Sequence, residues 1–391
     1  MKAAFTVFLK EVRENLRDRR TVFNTFVTGP LMAPLIFVLM LHTVINQQLE
    51  KAEKPLPVPV VGAQYAPNLI EALKQEGMDA KPAIANPEAA VRNQDANVVL
   101  RIPPDFAKSW NKGEPAQVEL IYDQSQRDSS SDEERLEGML KTYSQRGAAL
   151  RLVARGLSPA ISQPIVVAQR DQSTPQSRAG ILFAILPYFF ILGAFIGGMA
   201  LAIDTTAGER ERQSLEPLFA NPAPRWQILA GKLGATCLFS LATVFLSILA
   251  FSQVGHFLPS DKIGMVLELG VRFTLTVLVA MLPLVVLLAG LQTLVAAFAK
   301  SYREAQTYLS LLMFVPAIPT LLLSVLPFKA KLWMYAIPVV GQQTTILRMM
   351  RGESVPMMAL GVCVASTAVA ALIVCAITAR IYRSEKLAIS A

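Results

Sequence analysis

Residues 271–299 read VRFTLTVLVAMLPLVVLLAGLQTLVAAFA. Apart from Arg272, next to its start, the stretch holds no ionisable side chain. A bilayer core about 30 Å thick needs about 20 apolar residues in helical form, so this run is long enough to cross with tilt. Five more runs of comparable character follow on either side: Val22–Ile45, Ala179–Ile203, Ile228–Phe251, Tyr308–Pro327 and Val355–Ile381. The composition of all 391 residues agrees, with 53% apolar and 17% charged residues. A soluble domain carries about 25% charged residues. Too little polar surface is left for a wholly soluble protein, and the apolar content excludes a disordered one. The cysteines Cys237, Cys363 and Cys375 all sit in apolar runs, so neither a disulfide framework nor a zinc pattern is present.

The fold class that follows is a polytopic α-helical membrane protein with six transmembrane helices. The first run is no signal peptide, because charged, helix-forming residues precede it and no small-residue cleavage site follows. Pro30 and Pro34 kink that helix without ending it. A seventh stretch, Trp333–Leu347, is short and broken by Pro338 and Gly341. It predicts a re-entrant or interfacial helix pair, forming a re-entrant or extracellular hairpin over 333–350.

Orientation comes from Lys and Arg in the short loops. Residues 1–20 carry Lys2, Lys10, Arg13, Arg17, Arg19 and Arg20, and 204–227 carry Arg210, Arg212 and Arg225, with Lys232 just beyond. Lys300 and Arg303 mark the next turn on that side, and Arg380, Arg383 and Lys386 the tail. Both termini are therefore expected in the cytoplasm and the chain in a cell membrane. The net charge of +8 is mostly this topology signal and needs no nucleic acid. One opposite-side loop, 328–354, breaks the pattern with Lys329, Lys331, Arg348 and Arg351.

The domain division that results is 1–20, 21–45, 46–178 and 179–391. In 1–20, Phe5, Phe8, Leu9, Val12 and Leu16 recur at helical spacing, which predicts an interfacial amphipathic helix. Residues 46–178 lie between the first two spans and read as an extracytoplasmic α/β domain. Its strands are expected at Val58–Gly62, Val98–Ile102, Val118–Tyr122 and Ile165–Ala168. Its helices are expected at Pro67–Gly77, Pro87–Gln94, Pro103–Lys112 and Asp132–Arg155, the last opened by a Ser129–Asp132 cap. Asp123, Asp128 and Asp132 read as a solvated acidic loop.

The sequence has no G-x-x-x-x-G-K-[ST], no G-x-S-x-G and no H-E-x-x-H, so no catalytic residue and no bound metal is expected. The richest stretch runs from Gly208 to Leu233: GERERQSLEPLFANPAPRWQILAGKL. It is a charged turn, a short helix with Leu215, Leu218 and Phe219, and a Pro-bounded corner. Apolar residues on a short exposed helix suit a groove on another protein.

This stretch resembles the pattern E-[RK]-E-x-G-[ST]-L-E-x-L-L-x-x-P-x-x-R-x-x-I-L-x-G-K of ABC-2 type exporter permeases, with Gln213 where that family usually has Gly. Two further stretches, Ala299–Tyr308 and Ile337–Gln342 with Arg351-Gly352-Glu353, resemble the sodium-efflux, NatB-like permeases. The resemblance implies a half-transporter without ATPase activity of its own, in the inner membrane of a bacterium. Two copies would pair, and two cytoplasmic ATPase subunits, holding the ATP and magnesium, would drive them. It implies a coupling helix over 207–224, with Glu209, Arg210, Leu215, Glu216, Leu218, Phe219 and Arg225 in the ATPase contact. It also implies a second cytoplasmic turn at Tyr302, Arg303 and Glu304, with Asp204 as a gate candidate. Thr25, Thr28, Gly29 and Ala33 on the first span, with Ser310, Ala317 and Thr320 on the fifth, are the expected pairing face. Asn24, Ser240, Thr243, Thr274, Thr276 and Gln292 are candidate polar liners. Sodium is one cargo; a drug, peptide or lipid is the alternative. A gradient-driven transporter or a membrane-anchored receptor are further readings.

Overall fold

The computed structural model describes residues 2–162, 165, 168, 170–214, 217, 223–257, 269–326 and 328–383. The chain divides into two compact units, Thr43–Asp171 and the pair Met1–His42 with Gln172–Ala391.

In the smaller unit, β1 (Leu56–Val61), β2 (Met78–Lys81), β3 (Val98–Arg101) and β4 (Glu119–Tyr122) form one sheet in the order β2-β1-β3-β4. β1 runs parallel to both neighbours, and β4 is antiparallel to β3. β2 is a strand the sequence reading did not assign: Met78-Asp79-Ala80-Lys81 offers only two apolar residues. β1 carries Pro57 and Pro59, although proline is normally confined to sheet edges. The register explains this. Residues 56–59 of β1 pair with β2, whereas β3 pairs at Val60 and Val61, so each proline has one paired side. Leu56, Val58, Val60, Val98 and Leu100 bury against Leu69, Leu73 and Leu136 of the flanking helices.

Two helix starts differ from the sequence reading. Phe106–Lys112 begins after a turn that contains Pro103, so the proline is not in its first turn. The long helix starts at Arg127, and Ser129 is inside it rather than at its cap. Its buried hydroxyl donates to the Asn97 carbonyl at 2.5 Å and accepts from the Asp123 amide at 2.9 Å. Asp123 is engaged within its own turn. Bonds from the Ser125 hydroxyl and amide, and from the Gln126 amide, hold its carboxyl below the usual range. The expected strand Ile165–Ala168 lies partly outside the described residues; Ile165 and Ala168 themselves are not in a strand.

The larger unit contains six helices long and apolar enough to cross a membrane: Thr21–Gln47, Leu186–Glu211, Arg225–Gly255, Val271–Ala296, Tyr302–Val325 and Met357–Arg383, here spans 1 to 6. Spans 2 and 4 are the most buried; spans 1, 5 and 6 are mostly exposed. Spans 2 and 3 approach closely because Gly197 and Gly198 carry no side chain. A Cβ on Gly197 would stand 2.4 Å from Thr243 Oγ1, and one on Gly198 2.5 Å from Ser240 Oγ. Such small-residue contacts replace the hydrophobic drive that lipid removes.

The expected pairing face is corrected at several residues. Thr25 is buried, its carbonyl accepts from Thr243 Oγ1, and Gly29 also turns toward Thr243. These small residues of span 1 therefore pack on span 3. Leu35, Ile36, Leu39 and Met40 are its outward residues. Likewise Thr320 is buried, and its carbonyl accepts from Gln343.

The stretch expected as a hairpin holds two helices, Leu332–Tyr335 and Val340–Met350. Val339 between them has a φ of 74°, which a β-branched residue avoids. Its amide donates to Gln342 Oε1 at 2.8 Å, and Gln342 Nε2 donates to Thr367 Oγ1 at 3.0 Å. That network holds the strained corner against span 6.

Candidate functional site

Lys2–Arg17 forms the amphipathic helix. It does not merely lie on lipid. Phe8 and Val12 pack with Phe26 onto Leu201, Ala235 and Phe239, while Phe5 and Leu16 stay exposed. Gly231 makes the crossing, since a Cβ there would stand 2.7 Å from both the Ala4 carbonyl oxygen and Val7 Cβ.

The same helix face carries Glu11 and Asn15, both buried. Glu11 is 2% exposed and meets the end of span 2. There the helix widens into a π turn, Asp204–Gly208, with Thr205 to Gly208 buried. Such turns are frequent at functional sites. The turn leads directly into Glu209, which is 6% exposed. Glu209 pairs with Lys232 of span 3, which is 1% exposed. Lys232 Nζ also donates to the Thr205 carbonyl at 2.6 Å. Lys10 Nζ completes the cluster, 3.1 Å from Glu11, 3.2 Å from Glu14 and 3.5 Å from Glu209.

The electrostatics follow from this packing. Burial raises the Glu11 carboxyl above its ordinary value, and Lys232 and Lys10 offset that only partly. Burial would lower Lys10, but the carboxylates of Glu11, Glu209 and Glu14 outweigh it and hold the ammonium charged.

The charged turn after Glu209 clamps the ends of other spans. Arg210 Nη1 donates to the Ala297 and Ala299 carbonyls, each at 3.3 Å, at the C-terminal end of span 4, where a cation is favourable. Glu211 Oε2 accepts from the Tyr302 amide at 2.7 Å, at the N-terminal end of span 5. Span 6 joins through Tyr382, whose hydroxyl donates to Thr206 Oγ1 at 3.2 Å.

The expected site residues thus fall in several places. Glu209 is buried and engaged inside the bundle, so its own carboxylate is not on a surface open to a second protein. Asp204 is half-buried and pairs with Arg212 at 2.8 Å. Arg225 Nη1 donates to the Arg383 carbonyl at 3.0 Å. Arg303 is exposed. Glu304 is engaged in its own turn, accepting from the Lys300 amide and from the Tyr308 hydroxyl, while Ser301 caps the helix. Leu215, Glu216, Leu218 and Phe219, four of the residues expected in the ATPase contact, lie outside the described residues. Gln213 adopts a φ of 55°, the left-handed region that glycine takes without cost. Of the polar liners, Thr274 and Thr276 bond carbonyls of the preceding turn, whereas Gln292 crosses to the Phe195 carbonyl at 2.7 Å.

Asp204 and Arg212 also border a cavity of about 630 Å³, walled by Ile196, Met199 and Ile203 of span 2 and by Asn24 and Thr25 of span 1. Among the described residues, no three His, Cys, Asp or Glu side chains gather as a metal-binding group.

Lys232, Glu11 and Tyr382 were not singled out from sequence. A signal existed for two of them: Lys232 lies within the third apolar run, and Glu11 and Asn15 share the helical stripe of Phe8 and Val12.

Residues 25–379 match the family model described as ABC-2 family transporter protein. The chain belongs to the ABC-2 transporter family. A curated relative, the ABC transporter permease protein NatB of Bacillus subtilis (strain 168), is 26% identical over 317 residues, 80% of each chain. No solved structure matches. Six membrane-capable helices and this membership make the protein a multi-pass ABC-2 permease, the membrane-spanning partner of an ABC ATPase.

Proposed function

We propose that this ABC-2 permease converts ATP-driven closure of two cytoplasmic ATPase subunits into export, with two copies of the chain forming the membrane path. The observation that carries the reading is the charged turn Glu209–Arg212. It is bonded to the amphipathic helix and to spans 2, 3, 4 and 5, and it directly precedes in sequence the residues expected to contact the ATPase. A push delivered to that segment reaches several span ends together, as a two-state element biased from outside requires. ATP and magnesium bind the partner subunit. Both termini and the 207–224 segment face the cytoplasm, and residues 46–178 lie outside it, as the loop charges support.

Leu215, Glu216, Leu218 and Phe219 supply the ATPase contact in this reading. Leu215→Asp or Leu218→Asp is expected to abolish stimulation of the co-expressed ATPase while membrane insertion is kept, because a charge in an apolar groove loses its hydration. Full transport by both variants would refute the contact.

Sodium is the first cargo, supported by the likeness to NatB-like permeases and by oxygen donors around the cavity, among them Asn24, Thr25 and Asp204. The apolar wall of Ile196, Met199 and Ile203 favours an amphiphile as the second reading. Efflux of radioactive sodium from vesicles, with and without a competing amphiphilic cation, separates the two. ATP-dependent sodium efflux indifferent to the amphiphile supports the first; amphiphile export without sodium movement supports the second.

A further inference from the structure

At the end of the bundle away from the amphipathic helix, just past the last residue of span 5, the chain departs from the charge pattern of a membrane protein. Residues 328–354 carry Lys329, Lys331, Arg348 and Arg351 on what the loop charges make the outer side, where short loops are normally poor in cations. The fold gathers three of these. Lys329, Arg348 and Arg351 line one cavity of about 260 Å³, with Phe328 and Leu347 as its apolar part. Glu353 is the carboxylate in the lining, and it is engaged: Arg348 Nε donates to its Oε2 at 2.9 Å. Arg348 is fixed further by a 3.3 Å bond from Nη1 to the Tyr335 hydroxyl. Among the described residues, Lys329 and Arg351 have no ion-pair partner. Three cations against one carboxylate leave an excess of positive charge around a concave, partly apolar space.

From this geometry we infer that the cavity binds a phosphate group, supplied by the headgroup of an anionic phospholipid. Guanidinium and ammonium groups converging on one space suit phosphate oxygens. Position favours lipid over free phosphate. Span 5 ends at Val325, and Leu332 and Trp333, both exposed, follow within one short helix. Exposed Trp at a span end marks the headgroup level of a bilayer. Phe328, half-buried in the lining, then meets the glycerol and upper acyl carbons while the cations hold the phosphodiester.

The test uses the full chain in nanodiscs of mixed phosphatidylcholine and phosphatidylglycerol, with retained lipid read by native mass spectrometry. The wild type is expected to retain phosphatidylglycerol over phosphatidylcholine. The double variant Lys329→Gln, Arg351→Gln is expected to lose that preference about tenfold, the worth of one charge-assisted hydrogen bond. The charge-conserving pair Lys329→Arg, Arg351→Lys should keep most of it, which separates lost charge from lost fold. A parallel arm in neutral detergent adds inorganic phosphate and follows thermal stability. Stabilisation of the wild type and not of the glutamine variant, without a lipid preference, assigns the same site to a free anion. The inference is overturned if neither phosphatidylglycerol nor inorganic phosphate distinguishes the wild type from the glutamine variant.

Discussion

Lys232 shows how much a single side chain settles here. Its ammonium is enclosed with Glu209 beside the Thr205 carbonyl, and a buried charge that loses its partner is costly, about 3–5 kcal/mol. Lys232→Met is therefore expected to lower the thermal midpoint of the purified protein sharply. Adding Glu209→Gln should restore much of the loss, because the carboxylate is no longer stranded; equal midpoints for the single and double variants would show that the two do not act as a pair. Glu11 yields a pH dependence. Its folded value lies above the unfolded 4.5, so the native state binds the proton more tightly, and its contribution to stability falls as pH rises from the unfolded value through the folded one. Glu11→Gln is expected to remove that decline across the acidic range, seen as a flatter curve of midpoint against pH. Gln213→Gly should stabilise by about 1 kcal/mol, since a side chain in the left-handed region costs about that much.

Among the elements, the amphipathic helix differs most from its sequence reading. Phe8 and Val12 announced an apolar stripe, but periodicity cannot say whether lipid or protein covers it. The answer lay in Gly231 and Ala235, two small residues in a distant run whose absence of bulk makes the seat. Gly231→Leu is expected to undock the helix, read as faster labelling of a cysteine placed at Val12; unchanged labelling would mean that the seat is elsewhere. The spans themselves were legible, because about 20 apolar residues in sequence admit one structure in a bilayer. β2 was not, because Met78-Asp79-Ala80-Lys81 alternates over only four residues, with two apolar side chains, too short a run to stand out. The two helices at 332–350 were legible as a broken pair, but the bonds that shape them were not, because they join Gln342 to Thr367 and Gln343 to Thr320, residues remote in sequence.

For the whole molecule, the proposed pairing of two copies is expected at the outward faces of spans 1 and 5. Span 1 turns its small residues inward, so Gly29→Leu should destabilise the single chain by crowding Thr243 and leave the pairing of copies intact. Leu39→Cys, on the outward side, is expected to give cross-linked dimers in membranes; failure to cross-link there and at outward positions of span 5 would move the interface elsewhere. The docked amphipathic helix also carries a consequence in time. Lys10 and Glu209 are 199 residues apart in the chain. At a synthesis rate of about 5–20 residues per second, the helix waits roughly 10–40 s before its carboxylate partner is made, and longer for Lys232 and the Gly231 seat. Through that interval the helix lacks the residues of spans 2 and 3 that form its seat. Its docking therefore registers that the ribosome has completed two spans and entered the third, and a nascent chain stalled before that point is marked by an undocked helix.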